Sequence, residues 1–243
     1  MTVAPAPAPA AADHAVITRE MARAAAFRLG HRTIFSPMPA ADGTGNGEHI
    51  HMSLRDASDR PAMHNPKGPY GLGEAAEHFC AGVLHHLPAI SAITAPSPVS
   101  YLRLTPDRWA PTTIDIRQQD RGAALRVCPV FAAGDAGEIS DQYHVEFRVC
   151  DAAASPYMAL GAVIFAGSDG LRRKLALPPL GRKASSLPHS LAEALAAMEA
   201  SEAVQQWFGP VFLQAYLCHK RSELAPVAGL GVAEPCSRYA EIY

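Results

Sequence analysis

Two histidines and a serine alternate with apolar residues directly after a glycine-rich turn, in the segment 43–54 (GTGNGEHIHMSL). Glycine adopts turn conformations at little steric cost, so the start of this segment predicts a tight turn. The alternation that follows places His49, His51 and Ser53 on one face of a strand, with about 7 Å between the histidines. Imidazoles at this spacing can bind a metal ion or contact an anion, whereas two solvated histidines on a polar strand face are the alternative.

A second alternating segment, 143–149 (YHVEFRV), carries a carboxylate between two basic side chains. His144, Glu146 and Arg148 fall on one face of the predicted strand, and apolar residues fall on the other. A carboxylate and an imidazole on adjacent strands can bind Mg²⁺ or Mn²⁺, and Arg148 could hold an anionic substrate group beside the ion. A cross-strand salt bridge on a solvated face is the alternative.

Arginines are concentrated between these two predicted strands. Guanidinium groups bind carboxylates and phosphates with paired hydrogen bonds, so the series indicates an anion site. A basic surface strand is the alternative for Arg108 and Arg117. The chain has no GxxxxGK[ST] motif, which excludes a P-loop, and it has neither a GxSxG motif nor a cysteine in an activating context. The arginines are Arg103, Arg108, Arg117, Arg121 and Arg126.

The candidate histidines, carboxylate and arginines must be positioned by strands, in which side chains alternate between two faces, and by helices, in which apolar residues recur about every 3.6 positions. We predict a disordered or extended polyproline-like Ala/Pro leader at 1–12 and irregular structure in the last twenty residues. Strands in hairpins with helices gathered around them indicate an α+β fold with a largely antiparallel sheet. The predicted helices are 13–29, 74–86 (stopped by Pro88), 155–171, 190–200 and 204–221, and the predicted strands are 33–38, 49–54, 100–104 (or a tight approach to a loop), 112–116, 123–128 and 143–149.

Composition limits the class of protein. The 243 residues are 49% hydrophobic and 18% charged, with a formal net charge of −2, which is typical of a soluble globular protein without a strong attraction to nucleic acid or anionic lipid. No apolar run of about 20 residues is present, so we predict no membrane span. The five cysteines are scattered and lack CxxC spacing, which argues against a disulfide framework and a thiolate zinc site and favours a reducing cytoplasm.

Four segments occur in a specific order: GTGNGEHIHMSL, SYLRLTP, DRGAALRVCP and HVEFRVCDAAASPYMALGAVIFAGSDGL. Together they resemble the C-terminal catalytic region of the glutamine synthetase family, from about Ala12 to the C-terminus. The resemblance implies one catalytic domain over 13–243 that forms part of a curved half-barrel sheet packed against helices. It also implies an ATP-dependent ligase in which the glutamate γ-carboxylate is phosphorylated and ammonia or an amine displaces the phosphate. The implied cofactors are ATP and Mg²⁺ or Mn²⁺, and the implied assembly is a homo-oligomeric ring.

The resemblance assigns metal and nucleotide roles to individual residues. His49 and Glu146 match ligands of one divalent ion. His51 matches the histidine that approaches the nucleotide phosphates, and Ser53 follows on the same face. Arg126 matches an arginine that neutralises those phosphates.

Amino-acid binding and catalysis are assigned in the same way. Arg103 and Arg148 match the arginines that hold the glutamate carboxylate, and Gly45 matches a backbone contact to the amino acid. Arg121 matches an arginine that neutralises the phosphoryl group. Arg103 and Arg121 are therefore the expected catalytic residues.

Several positions depart from the family pattern. Where the family reads G-Y-E-A-P, residues 107–111 read Asp-Arg-Trp-Ala-Pro, so Trp109 replaces the glutamate that binds the incoming ammonium. An indole face can hold an alkylammonium group by cation–π contact, which predicts an amine larger than ammonia. His144 and Gln119 each replace an arginine at the nucleotide site, and Thr44 replaces an asparagine at the amino-acid site.

The family's small N-terminal β-grasp domain and its first metal-binding glutamates have no counterpart in this sequence. We therefore expect the chain to represent the later part of a catalytic domain. Two hypotheses follow: a γ-glutamyl ligase acting on an amine, or a non-catalytic remnant that binds nucleotide or amino acid weakly or assembles with a complete relative.

Overall fold

The structure, a computed structural model, describes residues 1–131, 135–179 and 181–243 and places helices around one open sheet. The helices are α1 (Ala8–Arg28), α2 (Glu74–Thr94), α3 (Ser100–Arg103), α4 (Ala136–Gln142), α5 (Pro156–Arg173), α6 (Leu191–Ala200), α7 (Glu202–Phe208), α8 (Pro210–Ser222) and α9 (Ala233–Ile242). The strands are β1 (Ile50–Met52), β2 (Thr113–Gln118), β3 (Ala123–Val127), β4 (Val145–Phe147) and β5 (Ser185–Ser186). Within these described ranges, no helix is both long and apolar enough to cross a membrane.

The sheet has the strand order β1-β4-β3-β2-β5. Strand β4 pairs antiparallel with β1 and β3, and β2 pairs antiparallel with β5, so the predicted α+β class with a largely antiparallel sheet is confirmed. The exception is the β2–β3 pair, which is parallel, and the hairpin predicted there is wrong. Gln119, in the connection 119–122, takes a positive φ of 56°, and the register places Ala123 at the start of β3 opposite Thr113 at the start of β2.

The core is built on close contact between α2 and α5. Their facing residues are small, and a Cβ added at Gly82 would lie 2.3 Å from the Ala166 carbonyl oxygen. A Cβ added at Gly170 would lie 2.6 Å from the Cα of Gly82. Because real Cβ atoms do not approach so closely, only glycine allows these two helix backbones to come together.

Replacing Gly82 by alanine is expected to lower the free energy of unfolding by about 2–3 kcal/mol, because the added methyl group must push two helix backbones apart. Gly161 provides the matched control, since it lies in α5 but a Cβ there would meet no heavy atom within 4 Å. Gly161→Ala should be neutral or stabilise by up to about 1 kcal/mol through helix propensity. Urea unfolding of both variants tests the claim, and equal effects would contradict it.

Two helices are longer than the sequence predicts. Helix α1 begins at Ala8, so the end of the leader 1–12 is helical, because Pro9 lies in the first turn, where its missing donor costs nothing, and alanine has high helix propensity. Helix α2 continues through Pro88 to Thr94, so the predicted stop is wrong. The proline removes one backbone donor, but the residues that follow it are almost all buried, and this packing compensates for the lost hydrogen bond.

Other boundaries also differ. No strand forms at 33–38, and the segment predicted as a strand or tight approach at 100–104 forms the short helix α3. The predicted helix 204–221 divides into α7 and α8 because Gly209 takes a φ of 72° and Pro210 starts the next helix. The C-terminal residues expected to be irregular contain α9, which packs Cys236 and Tyr239 against Met38 and Val99.

Candidate active site

The register of three neighbouring strands places charged side chains in one row. His51 lies opposite Glu146 in the β1–β4 pair, and Arg126 lies opposite Glu146 in the β4–β3 pair. The row continues to Arg117 on β2. Because side chains on one strand alternate between faces, His49 and Arg148 continue the same polar face beyond the strand ends.

Glu146 is the centre of this row and is only 2% exposed. Its Oε1 lies 2.8 Å from His49 Nδ1, 2.8 Å from Arg148 Nη1 and 3.6 Å from His51 Nε2. Its Oε2 accepts a hydrogen bond from Arg126 Nε. A cross-strand salt bridge does form, between Arg126 and Glu146, but the face is not solvated there, because the carboxylate is buried and is shared by several partners.

The partners of Glu146 determine its charge. Burial alone would raise the pKa of this carboxyl, but hydrogen bonds from His49 and Arg126 and the charge of Arg148 together hold it well below its usual range. Glu146 is therefore ionised at neutral pH. A buried carboxylate kept ionised between guanidinium groups is a common feature of sites that bind anions or metal ions.

Arg148 connects the strand face to the loop that precedes β2. Its Nε donates to the Arg121 carbonyl at 2.9 Å and its Nη2 donates to the Trp109 carbonyl at 3.1 Å. Since its Nη1 contacts Glu146, one buried guanidinium fixes the relative position of three parts of the chain. Lysine could not reproduce this, because its ammonium group lacks the planar fork of donors.

Arg103 is buried against the glycine turn. It is 2% exposed, and its Nη2 donates to the Val149 carbonyl at 2.5 Å and to the Cys150 carbonyl at 3.1 Å. A Cβ added at Gly45 would lie 2.4 Å from Arg103 Cγ, so the backbone at Gly45 approaches this arginine without room for a side chain. Gly45 and Arg103 are thus brought together, as their expected common role requires.

Trp109 lies on the loop between Pro106 and Pro111, where its side chain is 74% exposed. The guanidinium carbon of Arg121 is 5.8 Å from the centre of the indole ring. A cavity of about 390 Å³ opens between this loop, Arg121 and Gly122. The structure therefore places a cation over the indole at the mouth of a cavity.

Arg108 and Arg117, for which a basic surface strand was the alternative, lie in different environments. Arg108 is half-buried and donates to the Gly43 and Ala41 carbonyls at 2.5 and 2.8 Å, so it anchors the Trp109 loop to the glycine turn. Arg117 is exposed and pairs with acidic residues of its own strand and turn, as a surface residue would. Ser53 follows β1 and is exposed, so the structure does not bring it into the buried cluster.

The pair His49–Glu146 has the spacing of adjacent metal ligands. Neighbouring ligands of an octahedral ion with bonds of about 2.1 Å lie about 3 Å apart. The observed separation of 2.8 Å between His49 Nδ1 and Glu146 Oε1 fits this arrangement for Mg²⁺ or Mn²⁺. The pair would supply two of roughly six ligands, and water, substrate oxygens or groups from elsewhere would have to complete the shell.

No role was predicted for Asp151, which lies near Arg103 and is fully buried. Burial, opposed by the charge of Arg103, raises the pKa of Asp151 to about 6. Its Oδ2 and the Nε of Arg103 are both buried without a hydrogen-bond partner in the described part of the chain. The signal available in the sequence was only its position three residues after Arg148, which does not reveal burial.

Asp151→Asn is expected to change how stability depends on pH. A raised pKa means that the folded state holds the proton more tightly, so this group's stabilisation is full in acid and is lost as pH rises from about 4 to 6. The loss approaches about 3 kcal/mol in the wild-type chain and is absent in the variant. Urea unfolding at pH 4.5 and 7.5 measures it, with exposed Asp42→Asn as control. Parallel pH curves for Asp151→Asn and wild type would contradict the prediction.

Fold and site together define an α+β catalytic domain that presents imidazole, carboxylate and guanidinium groups on one sheet face. The profile described as "Glutamine synthetase, catalytic domain" matches residues 1–231. The chain therefore belongs to the glutamine synthetase family.

Individual relatives agree with this assignment. The gamma-glutamylpolyamine synthetase GlnA3 of Streptomyces coelicolor is 38% identical over 236 residues, which cover 91% of this chain and 49% of that protein. The glutamine synthetase of Methanocaldococcus jannaschii is 34% identical over 227 residues, which cover 87% of this chain and 48% of that protein. The chain thus spans about half the length of these relatives.

Solved structures give the same result. A crystal structure of a novel glutamine synthase homolog matches with a TM-score of 0.87 and 43% identity, over 96% of this chain and 54% of that one. The structure of GmaS without ligand matches with a TM-score of 0.78 and 30% identity, over 91% of this chain and 51% of that one. The fold is therefore that of the family's catalytic domain.

Proposed function

We propose that this chain carries part of the catalytic site of an ATP-dependent ligase that joins glutamate to an amine, through a γ-glutamyl phosphate intermediate. The observation that carries the choice of an amine is Trp109, whose exposed indole lies at the mouth of the cavity next to Arg121. The relative named gamma-glutamylpolyamine synthetase supports the same choice. We also propose that the protein assembles into a homo-oligomeric ring and acts in the cytoplasm.

The first half-reaction needs glutamate held and phosphoryl charge stabilised. In the proposal, Arg103 and Arg148 orient the glutamate carboxylate above the glycine turn, where Gly45 leaves the backbone accessible. A γ-carboxylate oxygen attacks the terminal phosphorus of ATP and the bond to ADP breaks. Arg121 and Arg126 donate to the phosphate oxygens as charge develops on them.

The nucleotide and the metal ion would lie along the same row of side chains. Arg126 contacts Glu146 through its Nε, and within the described ranges its terminal nitrogens have no hydrogen-bond partner, so they could donate to phosphate. His51 lies next to Glu146 on the exposed end of the row, where it could reach the phosphates. A Mg²⁺ or Mn²⁺ ion held by His49 and Glu146 would supply further neutralisation of phosphate charge.

The second half-reaction transfers the acyl group to the amine. The alkylammonium first loses a proton to solvent, and the resulting amine nitrogen attacks the γ-carbonyl carbon. Inorganic phosphate leaves as the nitrogen gives up a second proton to solvent or to the departing phosphate. The indole face of Trp109 would hold the alkylammonium form before attack, with a cation–π energy of about 0.5–2 kcal/mol. Arg121 now occupies the ring at 5.8 Å, so the arginine and the substrate would exchange places on it.

The test is a product assay with ATP, Mg²⁺ or Mn²⁺ and glutamate. Ammonia, ethylamine, putrescine and spermidine are compared by phosphate release and by mass spectrometry of the γ-glutamyl product. Diamines and polyamines should be preferred, and Trp109→Glu should shift the preference toward ammonia. If ammonia serves as well as any alkylamine, the inference from Trp109 is wrong.

A second candidate is a non-catalytic chain that binds ligands weakly or assembles with a complete relative. It is favoured by the contacts of Glu146, because both oxygens of this carboxylate are already engaged by the side chains of His49, Arg126 and Arg148. Absence of phosphate release with every amine, under conditions in which a full-length relative is active, would support this candidate. Native mass spectrometry of the chain mixed with that relative would then show mixed oligomers.

A further inference from the structure

The geometry points to a second metal site, beside the His49–Glu146 pair and made of different residues. We propose that His51, Cys128 and His144 bind one Zn²⁺ ion. The potential ligand atoms of these three residues all lie within 4.8 Å of one another. This site goes beyond the proposed ligase function, although it shares His51 with the nucleotide side of that proposal.

The strand register brings the three side chains together. Val127 on β3 lies opposite Val145 on β4, so the residues just beyond this pair, Cys128 and His144, are neighbours at one end of the sheet. The Cys128 amide donates to the His144 carbonyl at 3.2 Å, which fixes the two residues side by side. His51 reaches them from β1, with its Nδ1 3.9 Å from Cys128 Sγ and its ring centre 5.1 Å from that of His144.

The hydrogen bonds of His144 leave a nitrogen free for a metal. Its Nδ1 lies 2.7 Å from the Gln142 carbonyl oxygen. Since a carbonyl only accepts, Nδ1 carries the hydrogen and Nε2 presents its lone pair. Metal-binding histidines commonly have this arrangement, in which the nitrogen away from the metal donates to a carbonyl or a carboxylate.

His51 has a comparable arrangement. Its Nε2 faces the ionised Glu146 at 3.6 Å, and its Nδ1 faces the thiol of Cys128. When Nε2 carries the hydrogen toward the carboxylate, the lone pair of Nδ1 points to the space shared with Cys128 and His144. The carboxylate therefore favours the tautomer that a metal ion at this place requires.

The donor set selects a soft or borderline ion. Two imidazoles and one thiolate suit Zn²⁺, whereas Mg²⁺ prefers oxygen ligands. Zinc bonds of about 2.0–2.3 Å place tetrahedral ligands roughly 3.3–3.7 Å apart, so the side chains must close by about 1 Å. The fourth position stays open to water or to a ligand, because the cluster lies at a partly exposed edge of the sheet.

The thiol must lose its proton when the ion binds. Burial, opposed by the charge of Arg126, raises the pKa of Cys128 to about 11, so the free thiol is protonated at neutral pH. Zn²⁺ displaces this proton to solvent as the zinc–sulfur bond forms, and no oxidant or reductant takes part.

The experiment titrates the reduced chain with Zn²⁺ against a chromogenic chelator and, separately, with Co²⁺ as a spectroscopic probe. We expect one equivalent of Zn²⁺ to bind, excess Mg²⁺ not to compete, and Co²⁺ to give a thiolate-to-cobalt charge-transfer band. Cys128→Ser and His144→Ala should each weaken Zn²⁺ binding by about tenfold or more, and Cys128→Ser should remove the band. Cys218→Ser is the matched control, because that cysteine is exposed on α8, and it should bind as wild type does.

Several outcomes would overturn the proposal. Wild-type Zn²⁺ affinity in Cys128→Ser, or a Co²⁺ spectrum without the charge-transfer band, would show that the thiol is not a ligand. Loss of binding in His49→Ala with retention in Cys128→Ser would assign the ion to the Glu146 pair instead. Circular dichroism verifies folding, and if His144→Ala is unfolded, Cys128→Ser and the Co²⁺ band decide the result alone.

Discussion

Glu146→Gln is expected to lower the free energy of unfolding by about 3–5 kcal/mol, although the two side chains have nearly the same shape. The carboxylate is the only acidic group that contacts Arg126, Arg148 and His49 within the described residues. Without it, two guanidinium groups lie close together with no compensating negative charge, and one of them is 4% exposed. Removing one partner of a buried ion network costs much more than the network contributes as a whole.

Urea unfolding at neutral pH measures this effect, and Glu199→Gln is the matched control. Glu199 also pairs with an arginine, Arg221, but both side chains are about half exposed, so its removal should cost less than about 1 kcal/mol. The two glutamate variants have the same net charge and differ only in burial. Similar losses in both would show that the buried row does not stabilise the fold.

The same variant should also change the response to acid. Because the pKa of Glu146 in the folded chain lies below its ordinary value of 4.5, its stabilisation is complete above that pH and is lost as pH falls further. Wild type and Glu146→Gln should therefore become more alike in acid than at neutral pH. The variant should also lose any Mn²⁺ bound by the pair His49–Glu146, which can be followed by electron paramagnetic resonance of free Mn²⁺.

Arg148→Lys is expected to weaken glutamate binding by at least about tenfold, equivalent to about 1.4 kcal/mol, and to loosen the Trp109 loop. Arg148 holds the carbonyls of Arg121 and Trp109 while it contacts Glu146, and an ammonium group cannot reach all of these acceptors. Isothermal titration with glutamate measures the first effect. Indole emission measures the second, in a Trp207→Phe background that leaves Trp109 as the only tryptophan.

The control for this substitution is Arg182→Lys, which keeps the same chemistry at an exposed position. It should alter neither the emission spectrum nor the affinity for glutamate. If Arg148→Lys behaved in the same way as Arg182→Lys, the guanidinium would not be the group that connects the loop to the strand. Indole emission is informative even if the chain has no ligase activity, because it depends directly on the environment of Trp109 in the loop.

The central part of the site could be predicted because it depends on the alternation of side chains between the two faces of a strand. Alternation alone placed Glu146 and Arg148 on one face, and it placed His49 and His51 on the face of another strand. The metal-site hypothesis assumed that these two strands are adjacent, and the register in which His51 lies opposite Glu146 agrees with that assumption. The roles assigned to these residues in binding and catalysis stay predictions.

Features that depend on tertiary packing could not be predicted in the same way. Pro88 stops an isolated helix, but here α2 is buried along most of its length and continues past it. Cys128 and His51 are far apart in sequence, and only the strand register brings them into contact. Alternation along the strands was a usable signal, because it places Cys128 on the same face as Arg126 and His144 on the same face as Glu146. Spacing rules for zinc sites did not detect this cluster.

The backbone conformation of the Trp109 loop favours glycine at position 109, whereas the proposed role of the loop requires the indole side chain. Trp109 and Asp107 take φ values of 54° and 67°, a left-handed conformation that glycine adopts with less strain. Trp109→Gly would relieve this strain while removing the aromatic face. Directed evolution that selects heat-resistant clones alone would therefore tend to discard the indole, whereas selection on turnover would retain it.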